Sequence, residues 1–395
     1  MTDMTQTSAT AAPSEVLTGI WSDLVGQEKA VASLKRAVEG DRHAMTHAWL
    51  ITGPPGSGRS NTARAFAAAL QCPDGGCGDC TQCRTAISGA HPDVTLVRTD
   101  KLSIGVAEIR DLVRRAAMSP SLGQHQVLVV EDSDRMTEQG ANALLKSIEE
   151  PAPRTVWLLC APTVDDVVPT IRSRCRLITL RTPATAAVAH LLVDRDGIDP
   201  VDADRAARAA QGHIGRARLL ARDADIWARR REILTIPYQL RGLAQCLTHA
   251  QRLVETSAAD AAAATAALDE TETAELSESL GMGTRGIRAR NAQAALKELA
   301  DQQKARQKRY QRDALDQALT ELTAYYRDVL AVQTGSQAEL VNIELLDQIT
   351  EVAGRDGPDQ TVRRIDAILG CRTALEGNVA PLLAVEALLV RLVDP

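Results

Sequence analysis

The feature that most constrains the fold is an eight-residue segment, GPPGSGRS, which has the spacing of a phosphate-binding loop. Its residues are Gly53, Pro54, Pro55, Gly56, Ser57, Gly58, Arg59 and Ser60. The glycines let backbone N–H groups point inward around phosphate oxygens, with a helix N-terminus behind them. An apolar run ending at Ile51 precedes the loop and an alanine-rich stretch, Asn61 to Leu70, follows it. This strand, loop and helix order favours a nucleotide-binding fold over a chance Gly/Pro turn.

Arg59 stands where such loops normally carry lysine, and Ser60 stands where a hydroxyl would meet Mg²⁺. Lysine reaches the phosphates as a slim point charge, whereas arginine is a planar fork of five donors, so the exchange is not conservative. Binding of ATP or ADP is therefore left open by the sequence, and Mg²⁺ is expected only together with nucleotide.

The second element of a nucleotide site is an apolar strand that ends in acid, and Val127–Val130 followed by Glu131 and Asp132 fits it. In working ATPases of this type the order is Asp then Glu, the first supporting Mg²⁺ and the second polarising the attacking water. Here the order is reversed. Glu131 is a methylene too long for the metal-supporting position, and Asp132 is a methylene too short to reach the water. The alternative is an acid pair at a strand end with no role.

Four of the eight cysteines fall within twelve residues, at Cys72, Cys77, Cys80 and Cys83. Two adjoining C-x2-C steps form short chelating turns, and four thiolates complete a tetrahedral Zn²⁺ shell that leaves no position for water. The cluster therefore predicts a structural zinc site, with a redox pair or free thiols as the alternatives.

Bulk properties restrict the class of protein further. The chain has 395 residues, a formal charge of −6 and nine aromatic residues, which predicts two or three domains and disfavours a base-stacking surface. The sequence contains no run of about 18 apolar residues, so no membrane span is predicted. The N-terminus lacks the charged start and apolar core of a signal peptide, so a cytoplasmic location is expected.

Between Trp21 and Leu180 helical stretches alternate with apolar runs, which predicts a mainly parallel α/β sheet. The predicted strands are His47–Thr52, Val94–Val97, Val127–Val130 and Thr155–Cys160. We predict a disordered tail at 1–20, an α/β nucleotide-binding domain at 21–181 with the zinc module at 72–83, a small helical lid at 182–240 and an all-α collar or oligomerisation domain at 241–395.

Charge is segregated inside the predicted collar. Residues 255–284 hold seven acidic and no basic residues, whereas residues 285–312 hold nine basic and two acidic ones. This composition is typical of a charged, flexible insertion at 255–312. The basic side chains at its end could contact DNA phosphates, although a solvated helical face is favoured; they are Lys304, Arg306, Lys308, Arg309 and Arg312.

A further motif is TIRSRC, from Thr170 to Cys175, shortly after the last predicted strand. Arg174 in this turn would lie at a subunit edge, where an arginine can reach a neighbour's γ-phosphate. Taken by itself, an arginine-rich turn is more often a solvated or salt-bridged face.

In order along the chain, GPPGSGRS, the cysteine cluster, VLVVEDSDRM, ANALLKSIEEP and VPTIRSRC resemble the clamp-loader branch of the AAA+ ATPases, in particular the bacterial DNA polymerase III clamp loader. The resemblance covers about Trp21 to Leu220 and implies a RecA-like P-loop domain, a lid and a collar. Motor subunits of that family carry the lysine and an Asp-Glu pair, whereas delta-prime subunits carry degraded versions. The departures at Arg59, Glu131 and Asp132 are similar to the delta-prime type.

The resemblance also implies roles for single residues. Arg174 matches the arginine that the family inserts into the adjacent motor subunit's ATP site, and Arg216, in GHIGRARL, lies near the second sensor arginine. The cysteine cluster matches the family's zinc module, with a shorter first gap. The first sensor position holds Ala161 and Pro162 instead of Thr or Asn, with Thr163 one step on, which further disfavours hydrolysis.

The implied partners are the motor (gamma/tau) and delta subunits, the sliding clamp and, through the complex, primed DNA. The implied function is that of a non-hydrolysing stator in clamp loading during DNA replication. Two alternatives remain at this point: a catalytically active motor subunit, and a zinc-dependent scaffold unrelated to replication.

Overall fold

The computed structural model describes residues 17–41, 43–99, 103–280 and 288–394, with only the backbone for 288–291. Most of the predicted tail at 1–20 lies outside these residues. The described chain divides into two compact units. The first contains the residues up to Arg98, Ser103–Ala203 and Gly212–Gly215, and the second contains Asp204–Gln211 and everything from Arg216 onward.

The first unit is built on one parallel five-stranded sheet in the order β2-β3-β4-β1-β5. The strands are β1 (Ala48–Thr52), β2 (Val94–Val97), β3 (Gln126–Val130), β4 (Thr155–Ala161) and β5 (Arg176–Thr179). The predicted parallel α/β domain is thus confirmed, as are its four predicted strands to within one residue at each end. The edge strand β5 was missed.

Helices cover both faces of this sheet. They are α1 (Glu28–Val38), α2 (Arg59–Gln71), α3 (Thr81–Ser88), α4 (Val106–Ala116), α5 (Glu138–Glu149) and α6 (Pro169–Arg172). Three further helices follow in the chain, α7 (Thr185–Asp196), α8 (Pro200–Ala209) and α9 (Ile214–Arg222).

Alternation along β1 divides the core of the α/β unit into two layers, because successive side chains of a strand point to opposite faces. Trp49 and Ile51 pack into one cluster with Phe66 of α2. Leu50 packs into the other, which contains Leu144 of α5. Since all five strands are parallel, their carboxyl ends meet at one edge, and the loops that follow β1, β3 and β4 come together there.

The second unit is all-helical, which confirms the predicted helical C-terminal part. Its helices are α10 (Ala224–Gln239), α11 (Leu243–Ser279), α12 (Arg288–Thr334), α13 (Leu346–Ala353), α14 (Pro358–Glu376) and α15 (Pro381–Val393). Leu322, Tyr325, Ile368 and Leu389 are among the buried residues of its core. Among the described residues, no helix is long and apolar enough to cross a membrane.

The charged stretch at 255–312 lies on the two longest helices, α11 and α12, which pack against each other as a hairpin. The acidic part belongs to α11, and the described basic part belongs to α12. Arg306 forms ion pairs with Glu272 at 2.7 Å and with Asp269 at 3.4 Å. The segregated charges of the sequence therefore face each other across the hairpin.

Candidate functional site

The GPPGSGRS loop connects β1 to α2, as the sequence predicts. Gly56 and Gly58 have φ angles of +82° and +91°, a region that favours glycine, and Gly58 caps the N-terminus of α2. A side chain on Gly53 would also be excluded, because its Cβ would lie 2.5 Å from Ser57 Oγ. The glycines are therefore required by the backbone, and Ser60 lies in the first turn of α2.

Arg59 folds back onto its own loop. Its Nη1 donates a hydrogen bond to the carbonyl oxygen of Gly53. Burial lowers the pKa of the guanidinium, and the negative charges of Asp134 and Asp132 act in the opposite direction. The side chain that replaces the usual lysine is thus engaged within the chain itself.

Glu131, directly after β3, is buried and likewise engaged. Its N–H bonds to the carbonyl of Val97 at 2.9 Å, and its Oε1 accepts a hydrogen bond from Arg64 Nε at 2.7 Å. Arg64 lies on α2, five residues after Arg59. This ion pair directs the Glu131 carboxylate to a guanidinium of the same unit, while Asp132 precedes the short 3-10 turn Ser133–Arg135.

Two residues near the loop were missed by the sequence analysis. Burial raises the pKa of the Asp134 carboxyl, which the charges of Arg135 and Arg59 partly oppose. His213 packs directly onto Gly56, since a Cβ on this glycine would lie 2.4 Å from the histidine Cβ. The third acid in EDSD was a visible signal for Asp134, whereas nothing local in the sequence indicates the His213 contact.

The loop after β4 contacts the phosphate loop through backbone groups. The N–H of Gly53 bonds to the carbonyl of Pro162 at 3.1 Å. Thr163, the nearest hydroxyl to the first sensor position, bonds to Asp166 through both its N–H and its Oγ1 at 2.8 Å. Its hydroxyl is thus held by the adjacent turn.

The four predicted zinc ligands come together in space. Their sulfur atoms all lie within 4.8 Å of one another, and the Cys72 sulfur is 3.6 Å from that of Cys77 and 3.8 Å from that of Cys80. A tetrahedron with Zn–S bonds of about 2.3 Å requires S–S separations of about 3.8 Å. The cluster therefore has the donor set and spacing of a structural Zn²⁺ site.

Backbone groups around the cluster favour thiolate at its first cysteine. Burial raises the pKa of Cys72, but hydrogen bonds from backbone N–H groups, including that of Cys77, outweigh burial and bring the pKa to about 7. Cys72 is the ligand with the unusually short gap, and it lies directly after α2. Its position shows that the C-x4-C spacing brings the first sulfur to the other three.

Arg174 lies at the surface of the α/β unit, between α6 and β5. Its Nη2 pairs with Glu149 Oε1 at 2.6 Å, and its Nη1 donates to Thr170 O at 2.7 Å and Ser173 Oγ at 3.2 Å. The adjacent Arg172 pairs with Asp165 at 2.6 Å. The turn is therefore salt-bridged, as the simpler interpretation expected, while Arg174 remains 40% exposed.

Arg216 belongs to the helical unit. Its Nη2 pairs with Glu321, a carboxylate that also accepts from Arg230 Nε at 3.0 Å. Burial lowers the pKa of Arg216, and the charge and hydrogen bond of Glu321 raise it. The second sensor role predicted for Arg216 stays a prediction.

The basic stretch of α12 is not a uniformly solvated face. Arg306 and Arg309 are each only 6% exposed, and Arg306 is held by the acidic residues of α11. Lys304 and Lys308 are exposed. The favoured interpretation of a solvated face is therefore wrong for the two buried arginines, because the hairpin covers them.

Comparison with known proteins shows which proteins part of this chain is similar to. Residues 26–184 match the family model described as DNA polymerase III, delta subunit. The DNA polymerase III gamma/tau subunit of Mycobacterium tuberculosis is 33% identical over 193 residues, which cover 46% of this chain and 33% of that protein. The segment is thus homologous to clamp-loader subunits of DNA polymerase III.

The predicted resemblance to delta-prime subunits is confirmed for this segment. The delta' subunit of Pseudomonas aeruginosa is 35% identical over 170 residues, covering 42% of this chain and 52% of that protein. The delta' subunit of Bacillus subtilis is 31% identical over 173 residues, covering 43% and 52%. The chain therefore spans about half the length of the delta' relatives it matches.

Among solved structures, a gamma subunit-related protein of Thermotoga maritima aligns with a TM-score of 0.41 and 17% identity. That alignment covers 92% of this chain and 99% of the other.

Proposed function

We propose that this chain is a delta-prime-type stator of a DNA polymerase III clamp loader, which does not hydrolyse ATP and supplies Arg174 to the active site of a neighbouring motor subunit. In this proposal the α/β unit is an AAA+ domain, the region 182–240 is its lid, and the region 241–395 is the collar that holds the ring of subunits together. The complex would open the sliding clamp and close it around primed DNA, in the cytoplasm.

The observation that carries this proposal is that residues of the nucleotide site bond to groups of their own chain. Arg59 is bonded to Gly53, and the carboxylate that would stand nearest the metal, Glu131, is paired with Arg64. A buried carboxylate with a guanidinium partner is a poor Mg²⁺ ligand, because the cation must displace a charge-assisted hydrogen bond. These residues do not fit the Mg²⁺ site of a hydrolytic enzyme.

The other half of the proposal rests on Arg174. Its guanidinium is partly exposed and lies in a turn at the surface of the α/β unit. An arginine placed in a neighbour's site stabilises the negative charge that develops on the transferred phosphoryl oxygens. The residue therefore contributes to chemistry that takes place in another subunit.

A steady-state ATPase assay on the isolated chain tests the first half. We expect no turnover above the background of a matched preparation. Turnover that disappears in Glu131→Gln or Arg59→Ala would instead identify an active motor subunit. That second candidate is favoured by one finding, the match of a gamma/tau subunit at nearly the same identity as delta'. A titration with ATP and with ADP would separately measure binding.

We also propose that Cys72, Cys77, Cys80 and Cys83 hold one structural Zn²⁺. The ion would fix the loop between α2 and α3 and would supply no catalytic chemistry, since four thiolates leave no open coordination position.

A further inference from the structure

The strongest unassigned feature is the carboxylate that holds Arg174. Three described residues contact this guanidinium, and two of the contacting groups, Thr170 O and Ser173 Oγ, belong to the same short turn as the arginine itself. They move with Arg174 and cannot orient it relative to the rest of the unit. Glu149, at the end of α5, is the contact that comes from a different helix.

Glu149 is attached to a firmly packed helix. Its neighbour Ile148 is fully buried, and Ile171 of the α6 turn is fully buried in the same cluster. The N-terminus of α5 is capped by Thr137, whose Oγ1 accepts from the N–H of Gly140 at 3.1 Å. The positions of Glu149 and of the Arg174 backbone are therefore fixed relative to each other by a shared core.

The ion pair between Arg174 and Glu149 also allows Arg174 to change partner. The side chains of Arg174 and Glu149 are 40% and 46% exposed, and ion pairs this exposed are weak. A phosphate group offers the guanidinium a stronger, charge-assisted partner. Glu149 can thus hold the arginine in a defined orientation before assembly and release it to a nucleotide afterwards.

We propose that Glu149 is a positioning residue for Arg174. Glu149 orients the guanidinium for insertion into the neighbouring subunit's site. This inference rests on the proposed trans role of Arg174. A misplacement of about 1 Å in a reacting group can reduce the rate up to about 100-fold, so loss of the preset orientation is expected to reduce turnover rather than nucleotide affinity.

The test uses the full complex, reconstituted with its motor and delta subunits, and measures kcat and KM for ATP. We expect Glu149→Gln to lower kcat several-fold with little change in KM, and Glu149→Asp to recover part of the loss. The matched control is Glu150→Gln, which removes the neighbouring exposed carboxylate from the same helix end, and it should leave kcat unchanged. Thermal unfolding of each variant chain and size-exclusion chromatography of each complex report on folding and assembly.

The double variant Glu149→Gln/Arg174→Ala separates positioning from other effects. If Glu149 acts through Arg174, the double variant should match Arg174→Ala alone. Unchanged kcat in Glu149→Gln, or an additive loss in the double variant, would overturn the positioning role while leaving the trans arginine in place. Unchanged kcat in Arg174→Ala would instead refute the proposed function, and the inference with it.

Discussion

At the scale of single residues, the ion pair between Arg64 and Glu131 links α2 to the end of β3. Glu131 is 8% exposed, and its carboxylate is paired with the guanidinium of Arg64. From side-chain length alone, the sequence predicted that Glu131 is unsuited to support ATP hydrolysis. Its partner could not be predicted, because Arg64 is 67 residues away in the chain and only the fold brings the two together.

This pair leads to a prediction on stability. Arg64→Leu should reduce the free energy of unfolding by about 1–3 kcal/mol, since it leaves a buried carboxylate without its charged donor; the partial exposure of Arg64 places the loss at the lower end. Urea denaturation measures the change. Arg64→Lys, which keeps the positive charge, is the control and should lose less. Equal losses in the two variants would contradict a charge-based role.

At the scale of elements, Asp93 fixes the loop that precedes β3. Its Oδ1 accepts from Ser121 N at 2.7 Å and Ser121 Oγ at 2.8 Å, and its Oδ2 accepts from Leu122 N at 2.7 Å and Gly123 N at 2.6 Å. Burial raises the pKa of this carboxyl, but the backbone donors outweigh burial and hold the pKa at about 2. The charged form is therefore strongly favoured in the folded state.

The depressed pKa predicts a pH dependence. The stabilisation is complete above the ordinary aspartate pKa of about 4, and it is lost as the pH falls from about 4 toward 2. Asp93→Asn should lower stability by about 2 kcal/mol at pH 7, with the difference from the unsubstituted chain vanishing near pH 2. Thermal unfolding measured across pH 2–7 checks this. A constant difference over that range would exclude the linkage.

The cysteine module permits a second test on this scale. Purified chain should contain about one Zn²⁺, because four thiolates complete one shell. Replacing Cys77 and Cys80 together by serine should abolish metal content and increase hydrogen exchange in α3. Replacement of Cys371, a buried cysteine of the helical unit, is the control and should retain the metal. Metal analysis that finds no zinc in the unsubstituted chain would rule out the site.

At the scale of the whole molecule, the sequence predicted the class of each unit better than its details. Apolar strand runs and helical periodicity are local signals, so β1 to β4 and the helical C-terminal part were found. β5 was missed because this edge strand buries only Ile178 well and carries no apolar run. The hairpin was not predicted, because pairing between α11 and α12 depends on contacts that local composition does not reveal.

A buried ion network is the feature of the helical unit with the largest expected energetic effect. Glu321 is 1% exposed and accepts from both Arg216 and Arg230, and Arg230 also pairs with Glu344 at 2.8 Å. Glu321→Ala should reduce the free energy of unfolding by about 3–5 kcal/mol, because it leaves buried guanidinium groups without their shared carboxylate. Denaturant unfolding, together with hydrogen exchange in α12, measures this loss.

The matched control is Glu298→Ala, which removes an exposed carboxylate from the same helix and should change stability by less than about 0.5 kcal/mol. Similar losses in the two variants would indicate that the network adds nothing beyond an ordinary surface charge.

In the hairpin of α11 and α12, acidic residues of α11 are counterions for Arg306 of α12. The residues that α11 buries include small ones such as Ala261 and Thr265. Polar contacts add to this packing, because Arg306 pairs with Asp269 and Glu272 and Gln303 bonds to Asp269 O at 2.9 Å. The charges that the sequence analysis assigned to a flexible insertion thus join two helices of one hairpin.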